Sequence, residues 1–275
     1  MNLQAYLRRI RFQGATSPTP CLLAALVRHH TMNIAFENVS VVVDGPPSLE
    51  LNALEEKLVH NQRGGYCYEH NSLLQAALDD LGFKVKGLSA RVRYGLPPGT
   101  LTPRSHMILC VEVSGGDYLV DVGFGGLTLT SPVPLNASDE QPTLHESVRL
   151  LHTGDDRLLQ ARLEQQWSDV YQFDLSPQLP PDYAQQNWHT ATRPNSLFAN
   201  NLIATLPTER GRYALFNRTL TFRPLAGHKQ VWQIDSIDFM RSVLKETFFI
   251  ALSDRELDRI WQVSGAQQVL HRGFS

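Results

Sequence analysis

The sequence predicts an α+β protein, on three observations. Apolar residues recur at helical spacing through residues 1–82. From Phe83 the period changes to two, and short strand-like runs separated by turn residues continue to about residue 180. Beyond three closely spaced prolines, strand signals mix with an amphipathic helix near the end of the chain.

Each element has its own warrant. Leu3, Tyr6, Leu7 and Ile10 share a helical face. Pro18, Thr19 and Pro20 interrupt, and CLLAALVRHHTM resumes the helical pattern. VSVVVDG reads as a short strand ending at the Gly45-Pro46-Pro47 breaker. Asn52 is placed to cap ALEEKLVH, with Glu55 at the third position after it. After Gly64-Gly65 a second helix carries Leu73, Leu74, Ala77, Leu78 and Leu81 on one face and stops at Gly82.

KVKGLSARVRYG, HMILCVEV and DYLVDVGFG then read as strands, with a hairpin turn at Ser114-Gly115-Gly116-Asp117. SVRLLH, RLLQARLE and DVYQFDL follow, and this density of short strands predicts a barrel or sandwich. Pro177, Pro180 and Pro181 mark a boundary. RYALFNRTLTFRP and KQVWQID carry strand signals, and Ser253 with Glu256 forms a capping box on SDRELDRIWQVS. The expected units are therefore 1–82, 83–180 and 181–275.

Composition narrows the function classes. A chain of 275 residues buries a sizeable core. A formal net charge of −2, with no basic run, gives no pull toward nucleic acid or an anionic membrane. Three cysteines cannot make a disulfide framework and suit a reducing cytosol. The chain has no signal-like start and no window near the roughly 18 apolar residues of a membrane helix, so a cytoplasmic location is expected. A metal site is not expected, because C-x-x-C and H-E-x-x-H are absent. VGFGGLT follows a strand, but no good helix start comes after it, so a dinucleotide site is weak. A homo-oligomer is left open.

The segment RGGYCYEHN is the most informative. Cys67 follows two glycines and opens an amphipathic helix, where the dipole favours a thiolate. Gly64 and Gly65 leave room for a substrate to approach the sulfur. Cys21 and Cys110 sit in apolar runs and read as small buried residues. A thiol nucleophile needs a base, and the base an orienting group. His29, His30, His60, His145, His152, His228 and His271 read as surface or loop residues. His106 differs, since it opens an apolar strand, and Asp121 is an acid inside the apolar run YLVDVGF. Pairing Val113 with Tyr118 sets Asp121 opposite Cys110, on the same sheet face as His106. The two are then four residues apart, roughly 13 Å, so contact requires a register shift or a bulge near Gly123 or Gly125.

These segments resemble the arylamine N-acetyltransferases. RGGYCYEHN is similar to that family's R-G-G-x-C-x-E-x-N signature, SHMILCV to its histidine strand, VDVGFG to its aspartate strand and AFENVS to its F-E-N segment. YLRRI and NSLFANNLIAT are also similar, and the likeness runs in order along nearly the whole chain. The resemblance implies a helical N-terminal bundle, a central β-barrel and a C-terminal α/β lid around a cysteine-protease-like catalytic core. It implies a Cys67–His106–Asp121 triad and ping-pong transfer of acetyl from acetyl-coenzyme A to an arylamine, arylhydroxylamine or hydrazine. Phe36, Phe124 and Phe198 are implied at the acceptor pocket, with Phe198 also near the donor. Thr102 and Ser105 are implied beside the acyl donor, and Glu37 with Arg63 as a structural pair. No metal is implied.

Two other reactions share this logic: a Cys-His-Asp hydrolase, and an amide synthase closing a macrocycle on a biosynthetic thioester. A non-catalytic binder has no need of all three residues.

Overall fold

The computed structural model describes residues 1–266. Helix α1 (Leu3–Arg9) and helix α2 (Pro20–Asn33) follow the apolar periodicity. The Thr19 hydroxyl accepts from the Leu22 N–H at 3.1 Å, and Pro20 occupies the first turn of α2, where a missing N–H costs nothing. A two-residue strand β1 (Phe36–Glu37) comes next.

The VSVVVDG run is not a strand. Residues Val39–Asp44 form helix α3, because the Glu37 carboxylate accepts from the Val39 N–H at 2.6 Å and so caps its first turn. Gly45, at φ 91°, ends it. Asn52 does not cap the next helix either. It lies inside α4 (Leu51–Leu54), which continues as a π-helical segment Glu55–His60. Helix α5 (Cys67–Asp80) follows.

The middle of the chain supplies β2 (Lys84–Val92), β3 (Arg104–Val113), β4 (Gly116–Val120), β5 (Val133–Pro134), β6 (Val148–Thr153), β7 (Asp156–Leu163) and β8 (Gln166–Phe173). They form one antiparallel sheet in the order β5-β4-β3-β2-β8-β7-β6. Its ladder does not close between β5 and β6, so the expected barrel is an open, curled half-barrel. Leu88, Ile108, Leu119, Leu150, Val170 and Tyr171 belong to one buried core cluster within this sheet.

Two of the three closely spaced prolines start a helix, and Pro177 lies in the loop before it. Pro180 and Pro181 open α6 (Pro180–Thr192), and Asp182 accepts from the Leu179 N–H at 2.8 Å. Then come α7 (Leu197–Asn200), β9 (Ile203–Thr208), β10 (Gly211–Phe216), β11 (Thr219–Pro224), β12 (Gln230–Gln233), α8 (Ile237–Thr247) and α9 (Asp254–Gly265). The Ser253–Glu256 capping box of α9 forms as read. A second antiparallel sheet runs β1-β9-β10-β11-β12, so the early β1 is hydrogen-bonded to late strand β9, with Phe36 opposite Thr205. The fold is mixed α+β.

One ion-pair cluster locks the early and late segments together. Arg63 reaches Glu37 at 3.1 Å and Glu256 of α9 at 2.8 Å. Glu37 is fully buried; Arg63 holds its carboxyl below the ordinary range although burial opposes this. Arg63→Met is therefore expected to destabilise the protein by about 3–5 kcal/mol, the cost of leaving one partner of a buried pair alone. Urea unfolding measures it, and a loss under about 1 kcal/mol would show that Glu37 does not depend on the arginine.

Candidate active site

Cys67 is the first residue of α5 and is 4% exposed. The helix start is fixed by Glu69, whose carboxylate accepts from the Tyr66 N–H at 3.1 Å and pairs with Lys57 at 2.7 Å. The two glycines before Cys67 do not open a substrate path. A Cβ on Gly64 would sit 2.0 Å from the Ala35 carbonyl oxygen, and one on Gly65 would sit 2.7 Å from Glu69 Oε2. They permit backbone contact instead: Phe36 bridges Gly65, and the Glu37 N–H donates to the Gly65 carbonyl at 2.7 Å. Gly123 is the residue packed on the nucleophile's backbone, where a Cβ would be 2.7 Å from the Cys67 Cα.

The hairpin register decides how His106 and Asp121 meet. Val113 pairs with Gly116 across a two-residue turn, not with Tyr118, and Val111 pairs with Tyr118. That shifts β4 by two residues along β3 relative to the expected pairing. Asp121, one residue past the end of β4, now falls two residues from His106 rather than four. No bulge is needed between these strands. His106 Nε2 donates to Asp121 Oδ2 at 2.7 Å.

The rest of Asp121 is fully engaged. Its Oδ1 accepts from the Gly123 N–H at 2.9 Å and from Asn71 Nδ2 at 3.1 Å. Burial works against its charge, but His106 and these donors hold the carboxyl below its ordinary range. Because Nε2 of His106 is taken by Asp121, Nδ1 is the nitrogen left for the Cys67 thiol, which hydrogen-bonds the ring. Burial opposes a charge on His106, yet Asp121 first, and Cys67 after it, push its pKa up to about 10.

Phe124 stands edge-on to His106 at 5.1 Å between ring centres. Phe36 and Phe198 lie 6.1 Å apart, and Phe198 also meets Tyr66 at 5.7 Å. Gly125 connects the two aromatic sets, since its Cβ position is 3.5 Å from the Phe36 ring. Thr102 donates its hydroxyl to the Val92 carbonyl at 2.9 Å. Ser105 lines a cavity of about 310 Å³ with Arg104, Gln186, Trp188 and His189. Alternation along β3 puts its side chain on the face opposite His106.

Several expectations change. Cys21 is exposed near the start of α2, because its helical face looks outward; Cys110 is buried as expected, and burial pushes its thiol up to about 11. His30 is fully buried and His29 half-buried, both inside α2, so these two are neither surface nor loop residues; His145 is half-buried but does lie in a loop. Each is held by hydrogen bonds: His30 to Tyr6 and His70, His29 to the Ile10 carbonyl, His145 to Thr130 and the Thr208 carbonyl. His271 lies outside the described residues. Two neighbours of the site were given no role from sequence, although Asn71 is the last residue of the RGGYCYEHN segment. Asn71 sits one helical turn after Cys67, a spacing that signals a shared face. Besides Asp121, it donates to the Met107 carbonyl at 2.8 Å and accepts from the Val122 N–H at 3.1 Å. Tyr171 packs 5.2 Å from His106, and burial with the Asp121 charge holds its phenol protonated; nothing in DVYQFDL marked it. Among the described residues no helix is long and apolar enough to cross a membrane.

The N-acetyltransferase family model matches residues 21–257. The chain belongs to the arylamine N-acetyltransferase family. The family's Mycolicibacterium smegmatis enzyme is 39% identical over 258 residues, covering 92% of this chain and 94% of that relative. The Escherichia coli member is 36% identical over 254 residues, covering 92% and 90%. The structure of the Mycobacterium marinum member in complex with CoA superposes with a TM-score of 0.91 at 36% identity, covering 95% of this chain and 99% of that one.

Proposed function

We propose that this protein transfers an acetyl group from acetyl-coenzyme A to small aromatic amines, arylhydroxylamines or hydrazines by a ping-pong route through Cys67. The observation that carries the reading is the single chain of contacts from Cys67 through His106 to Asp121. The nucleophile on a helix start, packed on a sheet that presents its base, supports a cysteine-protease-like core. The relative solved with CoA supports the donor.

In the first half-reaction the Cys67 thiolate attacks the thioester carbonyl. The N–H groups at the start of α5, Tyr68 among them, receive the developing oxyanion. The C–S bond to coenzyme A breaks, and the His106 imidazolium gives its proton to the departing thiolate. In the second half-reaction the amine nitrogen attacks the Cys67 thioester, His106 takes the amine proton, and the Cys67 thiolate leaves. Asp121 holds the ring and balances its charge throughout. Phe36, Phe124 and Phe198 form the acceptor wall, an apolar surface that suits a neutral aromatic amine and excludes water. Thr102 and Ser105, just ahead of His106 in the chain, would act on the donor through the loop leading into β3, since the Ser105 side chain lies on the face opposite His106. No metal takes part, and the small-molecule substrates fit a cytoplasmic enzyme.

Rapid mixing with acetyl-coenzyme A alone is expected to release one coenzyme A per site and then nearly stop. The intact mass should gain one acetyl, mapped to Cys67. An arylamine should restart turnover, with parallel double-reciprocal lines. Intersecting lines with no adduct on Cys67 would overturn the covalent route. Steady release of coenzyme A and acetate without an amine would favour the hydrolase.

A further inference from the structure

His70 has no part in the chemistry above, yet it is fully buried three residues after Cys67. Its Nε2 lies 3.1 Å from the Ala35 carbonyl oxygen, and its Nδ1 lies 2.9 Å from His30 Nε2. His30 Nδ1 lies 2.9 Å from the Tyr6 hydroxyl. Donor and acceptor rules allow one direction for this chain. A carbonyl only accepts, so His70 Nε2 carries the proton and its Nδ1 accepts. His30 Nε2 must then donate and its Nδ1 accept, which leaves the Tyr6 O–H as donor. Every polar atom of both rings is used.

What this chain holds in place is next to the acceptor wall. Ala35 directly precedes Phe36, and the Phe36 ring lies nearly parallel to the His70 ring, at 8° and 6.4 Å between centres. The Ala35 carbonyl also presses on Gly64, where no side chain fits. We infer that Tyr6, His30 and His70 form a positioning relay, in which the His70 ring seats Phe36 and so sets the width of the aromatic-amine site beside Cys67. His30 and Tyr6 fix the tautomer and tilt of that ring. The charged groups facing the relay are Arg9, Lys57 and Glu37; burial, aided by the two cations, outweighs the Ala35 carbonyl and Glu37 and keeps His70 neutral, its pKa pushed down to about 4. His30 is held well below its ordinary value by burial, by His70 and by Arg9. The inference rests on the acyl-transfer reading for its consequence, but not for its geometry.

The test uses the two half-reactions separately. His70→Leu removes both the bond to Ala35 and the ring under Phe36. It is expected to lower kcat/KM for the arylamine about tenfold, chiefly through KM, while the coenzyme A burst rate stays within about twofold. His70→Gln keeps a donor near the Nε2 position and is expected to recover to within about threefold of the unaltered protein. Equal losses in both half-reactions, or no loss in a folded His70→Leu protein, would overturn the relay. So would a glutamine variant no better than the leucine one. If His70→Leu does not fold, Tyr6→Phe decides: the same split is expected at about threefold, and its absence refutes the inference. Nitrogen-15 histidine spectra of the unaltered protein at neutral pH give a readout independent of turnover. Both rings should be neutral Nε2–H tautomers; an Nδ1–H form of either would refute the relay. A failure of the acyl-transfer reading is distinguishable, because it appears in the unaltered protein as a missing acetyl adduct.

Discussion

Cys67→Ser is expected to lower acetyl transfer by at least about 10³-fold, with the fold intact. The substitution exchanges one atom at the first position of α5, so packing barely changes. A serine hydroxyl is a far weaker acid than a thiol, and it becomes a nucleophile only if a neutral imidazole takes its proton as it attacks. In the resting enzyme this site favours the imidazolium over the neutral ring. Asp121 is the leading favourable influence on the His106 charge, and together with Cys67 it overcomes burial. With the ring's pKa near 10 in the resting enzyme, His106 begins the first half-reaction protonated and serves there as the acid, becoming a base only after its proton has gone to coenzyme A. A thiolate–imidazolium pair works with that; a serine does not. Stopped-flow release of coenzyme A measures the effect, and circular dichroism checks the fold. A serine variant within about tenfold of the unaltered protein would mean that Cys67 is not the nucleophile.

How much of this was legible in the sequence follows from where each signal is stored. RGGYCYEHN was readable because a nucleophile at a helix start needs a cysteine, flanking glycines and a helix-capping acid in fixed local order, and all of these lie within a few residues. The reading of its glycines was wrong in kind. Gly64 and Gly65 are small because the Ala35 carbonyl and Glu69 crowd them, and Ala35 is remote in sequence. VSVVVDG was misread for a related reason. Three valines in a row favour a strand locally, but Glu37, pinned in the interior by Arg63, caps them into a helix. The His106–Asp121 separation was misjudged by two residues because SGGD admits either a two-residue or a four-residue turn. Alternation survived that error, since a shift of two preserves the face. The burial of His30 had a local signal that went unused, since it shares the helical face of Leu23, Leu26 and Val27; its partners Tyr6 and His70 had none, because they are far apart in the chain and joined only by packing.

The same accounting of donors and acceptors predicts the effect of Asp121→Asn, and it makes the outcome specific. The two oxygens of Asp121 have different duties. Oδ1 accepts from the Gly123 N–H and from Asn71 Nδ2, and both donors are buried. Oδ2 accepts from His106 Nε2. An asparagine has only one acceptor oxygen, and two buried N–H groups compete for it against one. The amide oxygen therefore stays in the Oδ1 position, and its NH₂ turns toward His106. Two donors cannot face each other, so His106 must release its Nε2 proton and accept there. The ring is then neutral with its proton on Nδ1, the nitrogen facing Cys67. In that tautomer it cannot take a proton from the thiol, and it no longer provides a cation beside the sulfur. The expected loss in acylation rate is about 10²- to 10⁴-fold, with little change in stability because every buried donor keeps a partner. Single-turnover release of coenzyme A gives the rate, and urea unfolding gives the stability. Asn71→Ala is the control. It removes one donor from Oδ1 and leaves the carboxylate charge and the bond to His106, so it should cost far less than Asp121→Asn. Near-normal acylation in a folded Asp121→Asn protein would show that the carboxylate does not set the charge or the tautomer of His106.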